Sequence, residues 1–319
     1  MVSIGLSGDA VSRLRFALSC LWEVVASVKV LREPGEHALH LPWVAAARRR
    51  LDGDPADGLL WRLVPPGRRY LPDFLTPPPT GLAPDLDTEL AALCATPPAT
   101  VRAELDLYGR AGLTDLYDDP AAGLHRLAAE IRRYWDAALA PDWPRILVLL
   151  EAEVFRQARR QATTGAADLL NDLHDWVRWS DDTLTIAQRH CAAPDVPGGT
   201  GLVLIPSVFV WPTVLSVTAG SVPQLAYPAR GIGALWEHTG DAPGALGRLL
   251  GHGRAALLGA LSAPLSTSEL ARRTGMSVGG VSQQLDTLRA TGLVSRTRQG
   301  KAVLNARTAL ADALLSAAM

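Results

Sequence analysis

Residues 266–301 constrain the fold more than any other stretch of the chain, because they set the order, length and punctuation of four successive elements. Ser266 or Thr267 can accept a hydrogen bond from an orphan N–H at the start of a first helix, and Glu269 lies near the positive helix end, where a carboxylate is favoured. This helix is expected to run to Thr274. Gly275 can take the left-handed conformation that reverses a chain after a helix, and Ser277 can cap the next one. In the second helix Val281, Leu285 and Leu288 fall at i, i+4 and i+7, a stripe that with Leu270 predicts a shared apolar core. Gly292 closes that helix. From Leu293 to Arg298 apolar and polar residues alternate as in a half-buried strand, Gln299-Gly300 fits a turn, and Lys301 to Asn305 returns as the partner strand.

The face of the second helix opposite its apolar stripe carries Val278, Gly279, Ser282, Gln283 and Thr287, a small, polar surface suited to approaching base edges in a major groove. Gln283 or Gln284 can pair an adenine edge in a bidentate manner, and Ser277 with the helix N-terminus can hold a phosphate. Gly279 and Gly280 each cost the helix about 1 kcal/mol relative to alanine and allow close approach in return. Thr267, Ser268 and Arg272 from the first helix, with Arg296, Arg298 and Lys301 around the hairpin tip, complete the candidate DNA contacts. Charge agrees with this reading. Residues 241–319 hold nine Arg or Lys against four Asp or Glu, a net +5, and the rest of the chain is −6. A basic terminal module on an acidic body is the footprint expected of a duplex-binding protein.

With those residues in place, 243–319 resembles the ArsR/SmtB-type winged helix-turn-helix regulators. The resemblance rests on Ser-Glu-Leu-Ala-x-x-Thr-Gly-Met-Ser, then Val-Ser-Gln-Gln-Leu-x-x-Leu-Arg-x-x-Gly-Leu-Val, then the basic hairpin. MarR-type regulators share much of this outline. The resemblance implies a homodimer on a near-palindromic operator in double-stranded DNA, often a repressor released by a ligand. Metal-sensing members carry paired cysteines in the first helix of the motif; Ser268 to Arg273 contains no thiol, and no metal or cofactor is expected here.

The preceding residues, 1–240, are expected to form a sensing or dimerising body, and 241–319 the DNA-binding domain. The fold class expected is mainly α with small antiparallel β elements, an α+β body followed by a winged helix-turn-helix. At 319 residues and 48% hydrophobic content, the chain can bury a large core and exceeds what one small domain needs. A strand is expected at Val2 to Leu6 and a helix over Asp9 to Leu31, with Leu14, Leu18, Leu21 and Val25 at helical spacing. Residues 62–81 are expected to be irregular because of their prolines. Two helices are expected between Asp85 and Tyr108, one from the Asp119-Pro120 cap to Leu139, one from Trp143-Pro144 to Gln161, and a short one at Ala166 to Leu173. Trp176 to Ile186 reads as a hairpin, and Leu202 to Tyr227 as three further strands. The body resembles an uncharacterised domain that precedes ArsR-type modules in bacterial regulators, through Ala38-Leu-His-Leu-Pro-Trp43, Arg69-Tyr-Leu-Pro-Asp-Phe74 and Pro206-Ser-Val-Phe-Val-Trp-Pro212. That resemblance implies no activity.

Several chemistries find no support in the residues. Neither Gly-x-Ser-x-Gly nor His-Glu-x-x-His occurs, and Gly198-Gly-Thr-Gly201 precedes a strand where a phosphate-cradling loop would follow one. Glu151 and Glu153 sit two apart on a helix, poor geometry for an acid–base pair, and are expected to be surface charges. Cys20, Cys94 and Cys191 form no spaced pair, and His37, His40 and His190 no ligand set, so neither a disulfide framework nor a metal site is expected. Residues 196–229 lack charge, yet Pro206, Pro212 and several glycines oppose a membrane helix, and Leu202-Val-Leu-Ile and Val208-Phe-Val-Trp favour strands. With no signal segment at the N-terminus, a cytoplasmic address is expected. Nine tryptophans, among them Trp22, Trp43, Trp176, Trp179 and Trp211, can line an effector pocket or simply fill the core. The reading is a DNA-binding regulator and not an enzyme, with a protein-docking module or an enzyme body bearing a wing as the alternatives.

Overall fold

The computed structural model describes residues 2–51, 58–67, 70–82, 85–187, 201–217, 222–236, 247, 249–299 and 302–317. Its contacts form two compact units, Met1–Ile146 with Arg156–Trp236, and Leu147–Phe155 with Glu237–Met319. The boundary placed at residue 240, the His190-Cys191 pair and Lys301 lie outside the described residues.

Among the described residues of the first unit, seven short strands make two sheets. They are β1 (Val2–Gly5), β2 (Arg15–Phe16), β3 (Val177–Ser180), β4 (Thr183–Ile186), β5 (Val203–Ser207), β6 (Leu215–Val217) and β7 (Gln224–Pro228). One sheet has the order β1-β4-β3 and is antiparallel throughout. Its β3–β4 hairpin turns on Asp181 and Asp182, both left-handed at φ 49° and 55°, the turn whose twist matches that of the strands it joins. The other has the order β2-β5-β7-β6, with β2 and β7 parallel to β5 and only β6 antiparallel to its neighbour. The antiparallel elements are present as expected, and the second sheet adds parallel pairing to them. Ile4, Leu184 and Ile186 from the first sheet join Leu204, Leu225 and Tyr227 from the second in one apolar core.

The helix expected over Asp9 to Leu31 is interrupted: Gly8–Ser12 and Cys20–Arg32 are helical, and Arg15–Phe16 between them pairs with Val203 and Leu204. Two local devices make the break. The Ser19 hydroxyl accepts from Trp22 N at 3.1 Å. The Glu89 carboxylate accepts from Cys20 N, Leu21 N and the Ser19 hydroxyl at 2.8, 3.1 and 2.5 Å, satisfying donors that every helix start leaves open. Nearly every residue of Cys20–Arg32 is buried, as befits a helix apolar on all sides.

The unit also contains helices Leu41–Arg50, Leu86–Cys94, Pro98–Tyr108 and Pro120–Tyr134, and helix Trp143–Thr164 contributes residues to both units. Asp119 caps the fourth of these, accepting from Ala122 N at 3.1 Å, and Pro120 occupies its first turn. The described residues of 62–81 are irregular apart from the end of helix Leu59–Leu63 and a single turn at Asp73–Leu75, as the prolines require. Among the described residues no helix is long and apolar enough to cross a membrane; the uncharged stretch supplies β5, β6 and β7.

The second unit contains helices His252–Ala260, Thr267–Thr274, Val278–Ala290 and Ala309–Ala317, and a sheet ordered β8-β10-β9 from β8 (Leu265–Ser266), β9 (Val294–Gln299) and β10 (Ala302–Arg307). Leu270, Val281, Leu285 and Leu288, the predicted stripe, are at most 1% exposed and pack with Leu257 and Leu258. Glu153, expected on the surface, is fully buried, and its neighbour Glu151 is half-buried in an ion pair with Arg273. Spacing separates the faces of a helix, but it does not say which face is solvated.

Candidate nucleic-acid interface

The interface begins with two caps. Ser266 accepts from Glu269 N at 3.2 Å and opens Thr267–Thr274; Ser277 accepts from Gly280 N at 3.1 Å and opens Val278–Ala290. Between them Gly275 sits at φ 71°, a conformation in which a side chain is strained. The turn between the two helices therefore has a defined geometry and does not depend on distant contacts.

On Val278–Ala290, Ser277, Val278, Gly279, Ser282, Gln283 and Thr287 all face solvent, with Val278 53% exposed. A Cβ at Gly279 would meet nothing within 4 Å, so this part of the helix can approach a flat surface closely. Gln284, read as the alternative base contact, is placed differently. It is half-buried, and its carbonyl oxygen accepts from Arg254 Nε of helix His252–Ala260 at 2.9 Å. Gln283 is therefore the amide on the outward face.

Asp286 escaped the sequence reading although its spacing, four residues after Ser282, puts it on the same face. It is exposed and ion-paired with Arg289. A carboxylate there can accept from the amino group of cytosine and is repelled by phosphate.

On the first helix Thr267 is half-buried, Ser268 is exposed, and Arg272 is largely exposed while donating to Glu269 at 3.0 and 2.5 Å. Glu269 also accepts from Arg273 at 2.8 Å, and these two arginines hold its carboxyl down at about 2. Arg273 completes the set by donating to Glu151 at 3.2 Å, so its guanidinium is turned to its own unit. Arg272 keeps the more accessible charge.

The hairpin pairs Arg296 with Asn305 and Arg298 with Val303, so both arginines stand on one face of β9 and are exposed. Pairing closes at Gln299 with Ala302. The third strand, β8, is two residues long and too short for a periodic signal; it pairs with β10 and places Asn305, 2% exposed, where its amide donates to Leu265 O.

Residues 254–297 match the family of helix-turn-helix domains. The matched stretch starts in helix His252–Ala260 and runs into β9, so the helix-turn-helix domain covers both caps, the Gly275 turn and the outward face. The crystal structure described as that of the predicted DNA-binding transcriptional regulator from E. coli is similar at 26% identity over 26% of this chain and 93% of that chain, with a TM-score of 0.20. No curated protein matches the chain.

The five tryptophans proposed for an effector pocket do not share one cavity among the described residues. Trp43 and Trp211 come together around His40 and Phe209, with Trp43 and Phe209 ring centroids 4.4 Å apart and His40 and Trp211 6.3 Å apart. This cluster unites two of the three body motifs, 38–43 and 206–212. His37 Nδ1 donates to Trp211 O at 2.8 Å, and the buried Trp236 indole donates to His40 Nδ1 at 3.0 Å. The His40 proton is thereby placed on Nε2, which is buried and meets no acceptor; burial and His37 push this ring down to about 4. Trp22 lies elsewhere, its indole donating to Gln224 at 3.0 Å, Trp179 donates to Leu6 O at 3.1 Å, and Trp176 is 39% exposed beside His174. Where these indoles are buried, each finds its own acceptor, Trp22 at Gln224, Trp43 at Ala138 O and Trp179 at Leu6 O. Among the described residues no group of acidic, His or Cys side chains has the arrangement of a metal site.

Proposed function

We propose that the protein is a transcriptional regulator of the ArsR-like type, a repressor that binds an operator as a homodimer through its helix-turn-helix domain. The observation that carries this reading is the outward face of Val278–Ala290, where Ser282, Gln283 and Thr287 are solvent-facing and flanked by the exposed Arg296 and Arg298 of the wing. The helix would enter the major groove while the wing arginines meet phosphate or the minor groove, two copies reading half-sites about one helical turn apart. The +5 charge of residues 241–319 supports duplex binding, and a regulator that meets chromosomal DNA directly works in the cytoplasm.

The body is assigned sensing and dimerisation and no catalysis. Its buried carboxylates act as caps: Glu89 on helix Cys20–Arg32, Glu104 on Phe74 N at 2.9 Å, and Glu23 on Val208 N and Phe209 N at 2.8 and 3.3 Å. They are spread through the unit and each is engaged by backbone, which favours a structural role over acid–base chemistry.

The test is selection of bound sites from random duplexes and from the DNA upstream of the coding sequence. Enrichment of a two-fold repeat with half-sites one turn apart is expected, with affinity falling steeply as salt rises. Failure to enrich any sequence, with binding indifferent to salt, would favour a protein-docking module.

A further inference from the structure

Helix Val278–Ala290 holds a single acidic and a single basic residue, Asp286 and Arg289. The commonest base-specific contact in a major groove is an arginine or lysine on guanine. This helix withholds it. Arg289 has a side chain 25% exposed, donates Nε–H to Leu285 O at 3.2 Å and is ion-paired with Asp286. The longer side chains left for reading bases are therefore one amide, Gln283, and one carboxylate, Asp286, since Gln284 is half-buried and engaged by Arg254.

At 3.6 residues per turn these two stand about 60° apart around the helix axis and about 4.5 Å apart along it. The positions that fall between them around the axis, Gly279 and Ala290, are exposed and small, so the amide and the carboxylate reach furthest from the helix on this side. The Asp286 side chain is 67% exposed. Arg289 donates to its Oδ1, and Oδ2 has no donor among the described residues. An ion pair this exposed adds little to stability; what it fixes is direction, aiming the carboxylate and keeping the guanidinium from the duplex.

A carboxylate facing a polyanion lowers affinity for every duplex except where a base edge offers it a donor. Cytosine presents its amino group to the major groove with no acceptor beside it, whereas adenine sets N7 next to its amino group, and guanine and thymine show acceptors only. We infer that Asp286 is a specificity-determining residue that reads the amino group of a cytosine in each operator half-site. The spacing along the helix against a rise of about 3.4 Å per base pair puts this cytosine one or two base pairs from the base read by Gln283. The helix thus reads its half-site through adenine and cytosine, and guanine only through its pairing partner. This inference rests on the regulator reading of the same face.

The test is site selection from random duplexes by the full-length protein, run in parallel with Asp286→Asn and Asp286→Ala. The native protein should fix a cytosine at one position of each half-site. Asp286→Asn should change that position to adenine, which an amide pairs in a bidentate manner, and Asp286→Ala should leave it without preference, the other positions being kept in both. A purely structural aspartate would weaken all positions together. A second measurement needs no variant: replacing that cytosine by pyrimidin-2-one, which lacks the amino group, should lower native affinity roughly tenfold or more. A selected native site with no fixed cytosine, a site unchanged in both variants, or full affinity for the pyrimidin-2-one duplex would overturn the inference and leave the regulator reading standing. Failure of the native protein to enrich any sequence would end both.

Discussion

Enclosed among apolar side chains, the Glu23 carboxyl is 1% exposed and is pushed up to about 7 by burial, against the pull of the Val208 and Phe209 amides and the Ser207 hydroxyl. The native fold therefore binds this proton more tightly than the unfolded chain does, so Glu23 contributes stability that is present below about 4.5 and is lost as pH rises through about 7. The difference is on the order of 3 kcal/mol. Glu23→Gln should remove it: chemical denaturation at pH 5 and pH 8 should show the variant gaining on the native protein at the higher pH, and a constant offset would contradict the assignment. On the reading helix, Gln283→Ala should relax sequence preference at one position. Arg298→Ala and Lys301→Ala should weaken binding to all sequences and each lower the salt slope by roughly 1, as measured by fluorescence anisotropy over a salt series.

At the scale of elements, two glycines near the turn of the helix-turn-helix domain make opposite predictions. Gly275 at φ 71° is strained by any side chain, so Gly275→Ala should cost about 1 kcal/mol or more in thermal unfolding. Gly279 has open space around its Cβ position, so Gly279→Ala should stabilise by up to about 1 kcal/mol while weakening duplex binding through lost closeness of approach. Binding unchanged in Gly279→Ala would remove the close-approach argument. These elements were legible because their signals are local: Ser266, Gly275, Ser277 and the Leu270–Leu288 stripe act within a few residues of one another. The Asp119 cap and the Asp181-Asp182 hairpin turn were legible for the same reason. The break in the helix expected over 9–31 was hidden, since it depends on Glu89, distant in sequence, and on pairing of Arg15–Phe16 with β5. The direction of Gln284 and the burial of Glu153 were hidden too, because each is decided by a neighbour from another helix or by packing.

In the whole molecule residues 241–319 carry +5 and the rest −6, and affinity for duplex should fall linearly with the logarithm of salt concentration, with a slope set by the phosphates neutralised. The solvent-facing side of Val278–Ala290 was legible from spacing, whereas in the body Trp22, Trp43, Trp176, Trp179 and Trp211 look alike in sequence and are dispersed only by tertiary packing. The chain's two ends of dependence also differ. Val2 and Ile4, at 1% and 0% exposure, are held by β4 near residue 185, so deleting residues 1–5 should remove two core side chains and about 3–6 kcal/mol from the first unit in scanning calorimetry.

That pairing has a consequence during synthesis. β1 must wait for residues 183–186, and β2 for residues 203–204, to leave the ribosome before either finds its partner. These two strands therefore wait through the synthesis of well over a hundred residues with their apolar side chains uncovered, whereas the helix-turn-helix domain finds its strands and helices within a few dozen residues of one another. Chaperone demand should fall on the amino-terminal strands, and slowing elongation after residue 228 should help the body close before the domain that follows it is made.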